Sequence, residues 1–355
     1  MDLLISADKK EIAAFAAANK LYVALGYFDG VHRGHQALLD MTREGAAAAG
    51  GQPCVLLLEP HPAKVLRGNE ALRNLTTLNE KIALIRRQGP FQIFLQRFDA
   101  AFAGILPRDF VRIYLVELLR ARGVFCGFNY TFGRQGQGQW ADLAYWGGVY
   151  GFEARKVPPV YQGTRLISST AIRQLIEVGE TEAARRMLGH PQVYSGYGDG
   201  AAGDGWGRET GLTAMSVALA PDMIWPADGV YGGLAWIGEG PSRRALVKVD
   251  RRPGGGREAQ TPAFEGERAS SFFEGERASS FEVGLSGYDG DLNGKKISVI
   301  LTDPLTDPTR APGALPALAA EREVTVWDKE AAERAAAALA AALGRDGQPP
   351  AEWFV

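Results

Sequence analysis

Residues 26–35 read GYFDGVHRGH and directly follow a short apolar run, Leu21–Gly26, that has the composition of a buried strand. A helix is predicted to begin at about Gln36, so this stretch forms the turn between a strand and a helix. Backbone N–H groups at the start of a helix, together with the helix dipole, favour an anion. The pattern therefore predicts a phosphate-binding strand–turn–helix unit that carries His32 and His35.

Glycines in this stretch are expected to shape the turn. Gly34 fits a position where a side chain would obstruct approaching phosphates, while Gly26 and Gly30 permit the tight turns that aim both histidines inward. Phosphoryl and adenylyl transfers depend mainly on donors fixed on the developing charge and on the leaving group. His32 and His35 are candidates for these donors.

Other interpretations of the histidine pair stay open at this point. Two histidines near a turn can be surface or core residues, or they can bind a metal ion. No cysteine lies nearby, and the other histidines of the chain are His61 and His190. The same HxGH spacing marks class I aminoacyl-tRNA synthetases, but the distant lysine-rich loop that they require is not found in this sequence.

The composition is typical of a globular protein with two domains. The chain has 355 residues, of which 46% are hydrophobic and 23% charged, and its formal net charge is -2. Without a broad basic field, small anionic ligands are expected rather than nucleic acid. Cys54 and Cys126 lie in apolar runs and are predicted to be packing residues. With no secretory signal and no membrane-spanning run, the expected location is the cytoplasm, without a membrane partner.

The first half of the chain predicts an α/β fold with a doubly wound, Rossmann-like parallel sheet, because short apolar runs alternate with amphipathic helical stretches. The predicted strands are Leu21–Gly26, Pro53–Leu58, Gln92–Phe98, Val124–Gly127 and Phe152–Val157. Thr77 and Glu80 stand at capping-box spacing and start a helix that ends at Gly89. A second helix is predicted from Pro107 to Arg122.

A helical hairpin, Ser169 to about Val178 and Glu182 to Leu188, precedes the predicted boundary between domains 1–188 and 189–355. Beyond it, glycine-rich turns between short runs predict a small antiparallel β-barrel. Its predicted strands are Met215–Leu219, Val230–Ile237, Ala245–Val249, Phe281–Leu285 and Lys296–Leu301. An alanine-rich helix, Lys329 to Leu343, is expected to support the barrel. The segment FEGERASSF occurs twice, at 264–272 and 273–281, and is interpreted as a duplication in a hairpin loop without a function.

Four motifs in chain order resemble those of the prokaryotic FAD synthetase family. They are GYFDGVHRGH at 26–35, EPHP at 59–62, GFNYTFG at 127–133 and ISSTAIR at 167–173. Together they cover the first predicted domain. The resemblance implies an FMN adenylyltransferase, which converts ATP and FMN into FAD and pyrophosphate with Mg²⁺.

The last motif also has a physical interpretation of its own. Its hydroxyl residues cap a helix, so that hydroxyls, N–H groups and a guanidinium converge as a triphosphate would require, although the same pattern makes an ordinary helix cap. The resemblance assigns the ATP phosphates to Ser168, Ser169, Thr170 and Arg173. The predicted ATP site further includes Gly26, Phe28, Asp29 and Gly34, and the predicted catalytic residues are His32, His35 and Arg173. Asp29 either orients the site or helps to position Mg²⁺.

For the flavin nucleotide, the resemblance points to two loops. One is Pro60-His61-Pro62, after the second predicted strand, and the other carries Asn129 and Phe132. The glycine-rich loop from Phe128 to Gly138 is expected to be mobile and able to fold over a ligand, with a plain surface turn as the alternative.

In this family the C-terminal barrel is usually a riboflavin kinase. Remnants of it are visible in order at 207–211, 228–231, 237–238, 282–283 and 288–294. The Pro-Thr-Ala-Asn patch of the family, which holds Mg²⁺ and phosphates, corresponds here to residues 213–216, Thr-Ala-Met-Ser, and loses oxygen ligands that a hard cation needs. Glu282 matches the presumed catalytic base. Residues 302–316 lack the expected basic and aromatic residues. The predicted kinase site, Thr213, Ser216 and Glu282, is therefore degenerate.

The leading hypothesis is an FMN adenylyltransferase whose barrel is structural or flavin-binding. The alternatives are a bifunctional enzyme that also phosphorylates riboflavin, a non-catalytic flavin or nucleotide sensor, and another adenylyl- or cytidylyltransferase of the same fold.

Overall fold

The computed structural model of the chain describes residues 3–5, 9–67, 72–201, 212–220, 222–251 and 280–304. The chain divides into two compact units. The N-terminal unit comprises Met1–Ala171 and Met187–Gly189, and the C-terminal unit comprises Ile172–Arg186 and His190–Val355. The predicted domain division at residue 188 stays a prediction. No helix in the described ranges is long and apolar enough to cross a membrane.

The N-terminal unit is built on parallel strands. They are β1 (Leu3–Ile5), β2 (Leu21–Gly26), β3 (Gln52–Glu59), β4 (Gln92–Arg97), β5 (Gly123–Gly127) and β6 (Glu153–Val157). These six strands form one sheet in the order β1-β4-β3-β2-β5-β6, and every neighbouring pair is parallel. All five predicted strands are confirmed, as is the doubly wound parallel sheet. The short β1 was not predicted.

Helices cover both faces of this sheet. They are α1 (Lys9–Ala18), α2 (Arg33–Ala48), α3 (Pro62–Arg67), α4 (Leu78–Arg87), α5 (Ala100–Ala103), α6 (Pro107–Phe110, continued by a π-helix over Val111–Leu118) and α7 (Trp140–Tyr150). Successive residues of a strand point to opposite faces, so Val23 and Ala24 enter different apolar clusters. A central strand buried on both faces is uniformly apolar, which is why β2 and β3 were predictable.

Helix boundaries differ from the predicted ones at two places. Helix α2 begins at Arg33 rather than near Gln36, because His32 adopts an extended conformation and caps it. The helix predicted from Pro107 to Arg122 changes to π-helical geometry and ends at Leu118. Arg120, with φ of 46°, then reverses the chain into β5. Helices α1 and α7 were not predicted.

The connection to the C-terminal unit was predicted correctly. After the small hairpin of β7 (Tyr161–Gln162) and β8 (Arg165–Leu166) come helices α8 (Ser169–Glu177) and α9 (Thr181–Leu188). They form the predicted helical hairpin.

The C-terminal unit contains a closed antiparallel barrel, as predicted. Its strands are β9 (Val193–Ala201), β10 (Thr213–Leu219), β11 (Gly229–Ile237), β12 (Arg243–Val249), β13 (Ser280–Leu285) and β14 (Lys296–Pro304). They close in the order β10-β13-β12-β11-β14-β9. Strand β9 was not predicted, because VYSGYGDGA is rich in glycine. The C-terminal helix at 329–343, the family remnant at 207–211 and residues 264–279 of the duplicated segment lie outside the described residues.

The start of α4 confirms the predicted capping box. The Thr77 hydroxyl accepts the Glu80 N–H at 3.3 Å, and the Glu80 carboxylate accepts the Thr77 N–H at 2.9 Å. Two N–H groups that an isolated helix end leaves without partners are thereby satisfied.

Replacing Thr77 with Ala should lower the free energy of unfolding by about 1 kcal/mol, because α4 loses its side-chain cap. Urea unfolding followed by tryptophan fluorescence measures the change. Thr164→Ala, in the exposed turn between β7 and β8, is the matched control and should unfold at the wild-type midpoint. Equal midpoints for all three proteins would show that the cap contributes nothing.

Candidate active site

Three of the four predicted motifs lie at the carboxyl ends of three adjacent strands. In the sheet, β2 stands between β3 and β5. Residues 26–35 follow β2, residues 59–62 end β3, and residues 127–133 end β5. From β2 the chain continues to β3 on one side and later returns to β5 on the other. Such a switch point of an α/β sheet is where ligands bind, outside the carboxyl ends of the strands.

The turn after β2 has an unusual backbone. Phe28 has φ of 59°, Gly30 of 75° and Val31 of 35°. For residues with a side chain this left-handed region costs about 1–3 kcal/mol each and persists only where the surroundings enforce it. Phe28 and Val31 are both fully buried, and the Phe28 ring lies 5.2 Å from the His35 ring. Packing thus holds the turn in a strained shape.

The side chain of Asp29 ties this turn to residues 75 and 76. Its buried carboxylate accepts the N–H groups of Leu75, at 3.0 and 3.1 Å, and of Thr76, at 3.2 Å, as well as the Thr76 hydroxyl at 3.3 Å. The Thr76 hydroxyl in turn accepts the Gly30 N–H at 3.1 Å. These contacts support the orienting role among the two that the sequence left open.

The described part of the chain contains no cluster of side chains that could hold the predicted Mg²⁺. No group of three or more His, Cys, Asp or Glu side chains there is arranged to hold a metal ion. The Asp29 carboxylate already accepts backbone and hydroxyl hydrogen bonds. The described residues do not fit a cage for Mg²⁺, so its use stays a prediction and no chemical step is derived through it.

The two histidines stack at the start of α2. Their ring centroids lie 3.7 Å apart with 11° between the planes. His32 caps the helix, because its Nδ1 accepts the His35 N–H at 3.3 Å. This bond leaves Nε2 to carry the proton of the neutral ring. A Cβ added at Gly34 would lie 3.1 Å from His32 Cε1, so a larger residue would push the stack apart.

His35 is held in its neutral form. Burial, the neighbouring His32 and the positive charge of Lys81 lower the pKa of His35 well below its ordinary value of 6.5. Its buried Nδ1 has no hydrogen-bond partner among the described residues. A neutral imidazole with a free nitrogen can donate to or accept from a ligand without first losing a proton.

Lys81 is a residue of this region that the sequence analysis missed. It lies on α4 and is fully buried, with its Nζ 3.2 Å from Glu59 Oε2 and 3.7 Å from the centroid of the Tyr27 ring. Both partners belong to the carboxyl edge of the sheet. A charged residue on the apolar face of a predicted helix was the available signal.

In the motif at 167–173, Ser169 contacts the turn after β2. The Ser169 hydroxyl donates to the Asp29 carbonyl at 3.0 Å, and the Ser168 hydroxyl accepts the Ala171 N–H at 3.2 Å as the cap of α8. Thr170 is exposed. Arg173 belongs to the C-terminal unit, and its role on ATP stays a prediction.

The predicted FMN residues have different surroundings. The His61 ring lies 4.1 Å from the Tyr27 ring, and its Nδ1 accepts the Ala63 N–H at 3.0 Å. Pro60 and Asn129 are exposed, and Pro62 is partly exposed. Phe132 is buried against Phe110, at 5.4 Å between centroids. Phe132 therefore packs in the apolar core beneath its loop.

The loop that carries Phe132 is braced by backbone hydrogen bonds. Phe132 and Gly138 exchange two of them, at 3.0 and 2.9 Å, and the Arg134 N–H donates to the Ile105 carbonyl at 2.6 Å. Gly133 has φ of 70°, and a Cβ there would lie 2.7 Å from Pro107 N. The predicted closure of this loop over a ligand stays a prediction.

The predicted kinase residues of the barrel lie on two faces. Thr213 shares the inward face of β10 with Met215 and Val217, and its hydroxyl donates to the Tyr288 carbonyl. Ser216 points outward, opposite Glu282 of β13. Glu282 also faces Lys248 of β12, with Oε2 and Nζ 3.3 Å apart. The structure brings Ser216 and Glu282 together but not Thr213.

Comparisons with known proteins show which sequences this chain resembles. Residues 15–171 match the FAD synthetase family. The bifunctional riboflavin kinase/FMN adenylyltransferase of Listeria monocytogenes is 36% identical over 210 residues, covering 59% of this chain and 66% of that protein. The protein of the same name from Escherichia coli K12 is 32% identical over 232 residues, covering 65% and 73%. Part of each relative thus lies outside the match.

A solved structure extends the similarity over both units. The crystal structure of a macrolide-efflux protein from Streptococcus pneumoniae is 26% identical, with a TM-score of 0.71. The match covers 92% of this chain and 99% of that chain. The match therefore extends into both compact units.

The depressed pKa of His35 predicts a pH-dependent stability. At pH values between that pKa and 6.5, His35 is protonated in the unfolded chain but neutral in the folded chain. The stabilisation is complete above 6.5 and is lost as the pH falls, by at most about 1.4 kcal/mol per pH unit. Urea unfolding of wild type and His35→Gln across this range should show a shallower pH slope for the variant. Thr164→Ala, which removes no titratable group, should keep the wild-type slope, and a wild-type slope for His35→Gln would contradict the assignment.

Proposed function

The chain belongs to the FAD synthetase family, and from this premise we propose that its N-terminal unit transfers the adenylyl group of ATP to FMN. The observation that carries the proposal is the stacked pair of His32 and His35 at the start of α2. This pair stands at the switch point of the parallel sheet, where α/β proteins of this architecture bind nucleotides. Because the reaction uses ATP, the proposal includes the cytoplasmic location expected from the sequence.

In the proposed reaction, an oxygen of the FMN phosphate attacks the α-phosphorus of ATP in line. The bond from that phosphorus to the oxygen bridging to the β-phosphate breaks, and pyrophosphate leaves with the electron pair. The FMN phosphate is already ionised, so no strong general base is required. Catalysis then depends on positioning and on donors aimed at the developing charge.

His32 and His35 are the proposed donors. Because Nδ1 of His32 accepts the His35 N–H, Nε2 is the ring nitrogen of His32 that can donate, and neutral His35 offers its buried Nδ1. The first turn of α2 adds the positive end of its helix dipole, which favours the phosphates. Ser168 and Thr170 are proposed to bind the same phosphates, while Ser169 holds the turn through the Asp29 carbonyl.

For the flavin nucleotide, we propose the ends of β3 and β5. His61 and its flanking prolines follow β3, and exposed Asn129 follows β5, on either side of the histidine turn. Phe132 is proposed to support the Asn129 loop from the core rather than to contact FMN, because its ring packs against Phe110.

A second activity, riboflavin phosphorylation, is suggested by the names of the relatives and by the closed barrel. Two contacts and one substitution argue against it. Glu282 faces Lys248, the Thr213 hydroxyl donates to the Tyr288 carbonyl, and Ser216 replaces a carboxamide. We therefore propose that the barrel does not phosphorylate riboflavin.

Purified protein incubated with ATP, Mg²⁺ and FMN should form FAD and pyrophosphate, measured by chromatography. His35→Ala should lower the turnover by about 10²–10³-fold, because a donor to the developing charge is lost. His190→Ala is the matched control and should keep the wild-type turnover. If wild type bound ATP and FMN without releasing pyrophosphate, the protein would be a sensor and not a transferase.

With riboflavin in place of FMN, the same assay should yield neither FMN nor FAD. Adding FMN to the same sample should restore FAD formation and show that the N-terminal unit is active. Formation of FMN from riboflavin would establish the bifunctional alternative.

A further inference from the structure

The ammonium group of Lys81 is buried in the N-terminal unit beside the candidate site. Lys81 has no exposed surface, and its neighbours on α4, Ile82 and Ile85, are core residues. Burying a charge is costly unless it is paired, and a buried ion pair is seldom the most stabilising choice for a core position. Its placement therefore suggests a role other than stability.

The contacts of Lys81 join three segments at the carboxyl edge of the sheet. Its Nζ lies 3.2 Å from Glu59 Oε2, at the end of β3, and 3.7 Å from the centroid of Tyr27, directly after β2. Tyr27 also contacts His61, with 4.1 Å between the ring centroids. One cation thus links α4, the histidine turn and the EPHP loop.

The same cation acts on His35. The charged and titratable groups around His35 are His32, stacked on it, and Lys81 from α4; Glu59 faces Lys81, and the Asp29 carboxylate faces Leu75 and Thr76. Phe28 is an apolar neighbour. A proton on His35 would place a second positive charge in this group. Lys81 therefore disfavours the imidazolium form.

We propose that Lys81 is a positioning residue of the adenylyl-transfer site, holding the ends of β2 and β3 together through its contacts with Tyr27 and Glu59. This inference rests on the proposed function for its catalytic meaning. Its structural content, a charge that acts on His35, can be tested without any turnover.

The test uses the full chain with ¹⁵N-labelled histidine and follows the ring signals by NMR as the pH changes. The chain has only four histidines, so single His→Gln variants assign them. In Lys81→Met the pKa of His35 should rise towards 6.5, by a few tenths of a unit to about one unit. Lys81→Gln should also raise the pKa of His35. Its amide can donate a hydrogen bond to Glu59, so this variant does not leave an apolar side chain beside the carboxylate.

Two controls separate charge from packing. Lys20→Met removes the same charge from an exposed position at the start of β2 and should leave the His35 pKa unchanged. Lys81→Arg keeps the charge and should keep the low pKa. A folded Lys81→Met or Lys81→Gln protein with the wild-type His35 pKa would overturn the proposal.

Activity gives the second readout. With FMN and ATP, both neutral variants should lose at least about 10-fold in kcat, and the acidic limb of the kcat profile should move to higher pH. Lys81→Arg should restore the position of that limb. If the wild type forms no FAD, the proposed function fails while the NMR result still decides whether Lys81 controls His35. Wild-type kcat and pH profile in a neutral variant would remove Lys81 from the site.

Discussion

Hydrogen bonds to the buried carboxylate of Asp29 are the constraint on which the candidate site depends. Leu75 and Thr76 donate to it from a segment 46 and 47 residues further along the chain. The turn after β2 therefore cannot relax from its left-handed backbone without leaving a buried carboxylate and two N–H groups unsatisfied, at about 1–3 kcal/mol for each group. That turn in turn sets where α2 begins, because His32 must be extended to cap the helix. The stacking of His32 on His35 therefore depends on the hydrogen bonds of Asp29.

Two opposite buried charges play different parts around the stack. The Asp29 carboxylate accepts backbone hydrogen bonds and fixes the shape of the turn after β2. The Lys81 ammonium group lies against Glu59 and the face of Tyr27, and its charge disfavours protonation of His35. Near pH 7 a histidine in water is about three-quarters neutral, so its surroundings have to remove only the remaining charged fraction. Burial and two neighbouring basic groups do this in His35. Under the proposed function, the site can therefore offer hydrogen bonds from an uncharged ring while the start of α2 supplies the positive end of the helix dipole.

Most of the sheet and barrel was predictable because buried strands and turns have local signatures, and the capping box of Thr77 and Glu80 is one of the clearest. The misses have physical causes. Helix α7 has few polar residues, so its sequence shows no clear alternation of polar and apolar faces. Strand β9 contains glycines that pack against backbone atoms of β10, as at Gly196. In the site, the motifs identified the segments but not the packing. Phe132 is a core residue, and Lys81 sits at a helix position, three residues after Leu78, where an apolar side chain is expected. Only tertiary structure supplies the Glu59 carboxylate that makes a lysine there tolerable.

Strand alternation explains how the barrel can keep its fold while losing the kinase's groups. On β10 the odd-numbered residues from Met215 to Leu219 fill the core, and the even-numbered ones face away from it. The stability of the barrel depends on the inward set, through burial of apolar area. Chemistry on a substrate outside the barrel would depend on the residues that face away from the core. Among them, Ser216, Glu282 and Lys248 lie side by side on three neighbouring strands. Substitutions in that outward row can remove a phosphate site or pair a base with a cation without leaving a cavity. A closed barrel is therefore compatible with loss of the kinase chemistry, and its presence alone carries no information about phosphorylation.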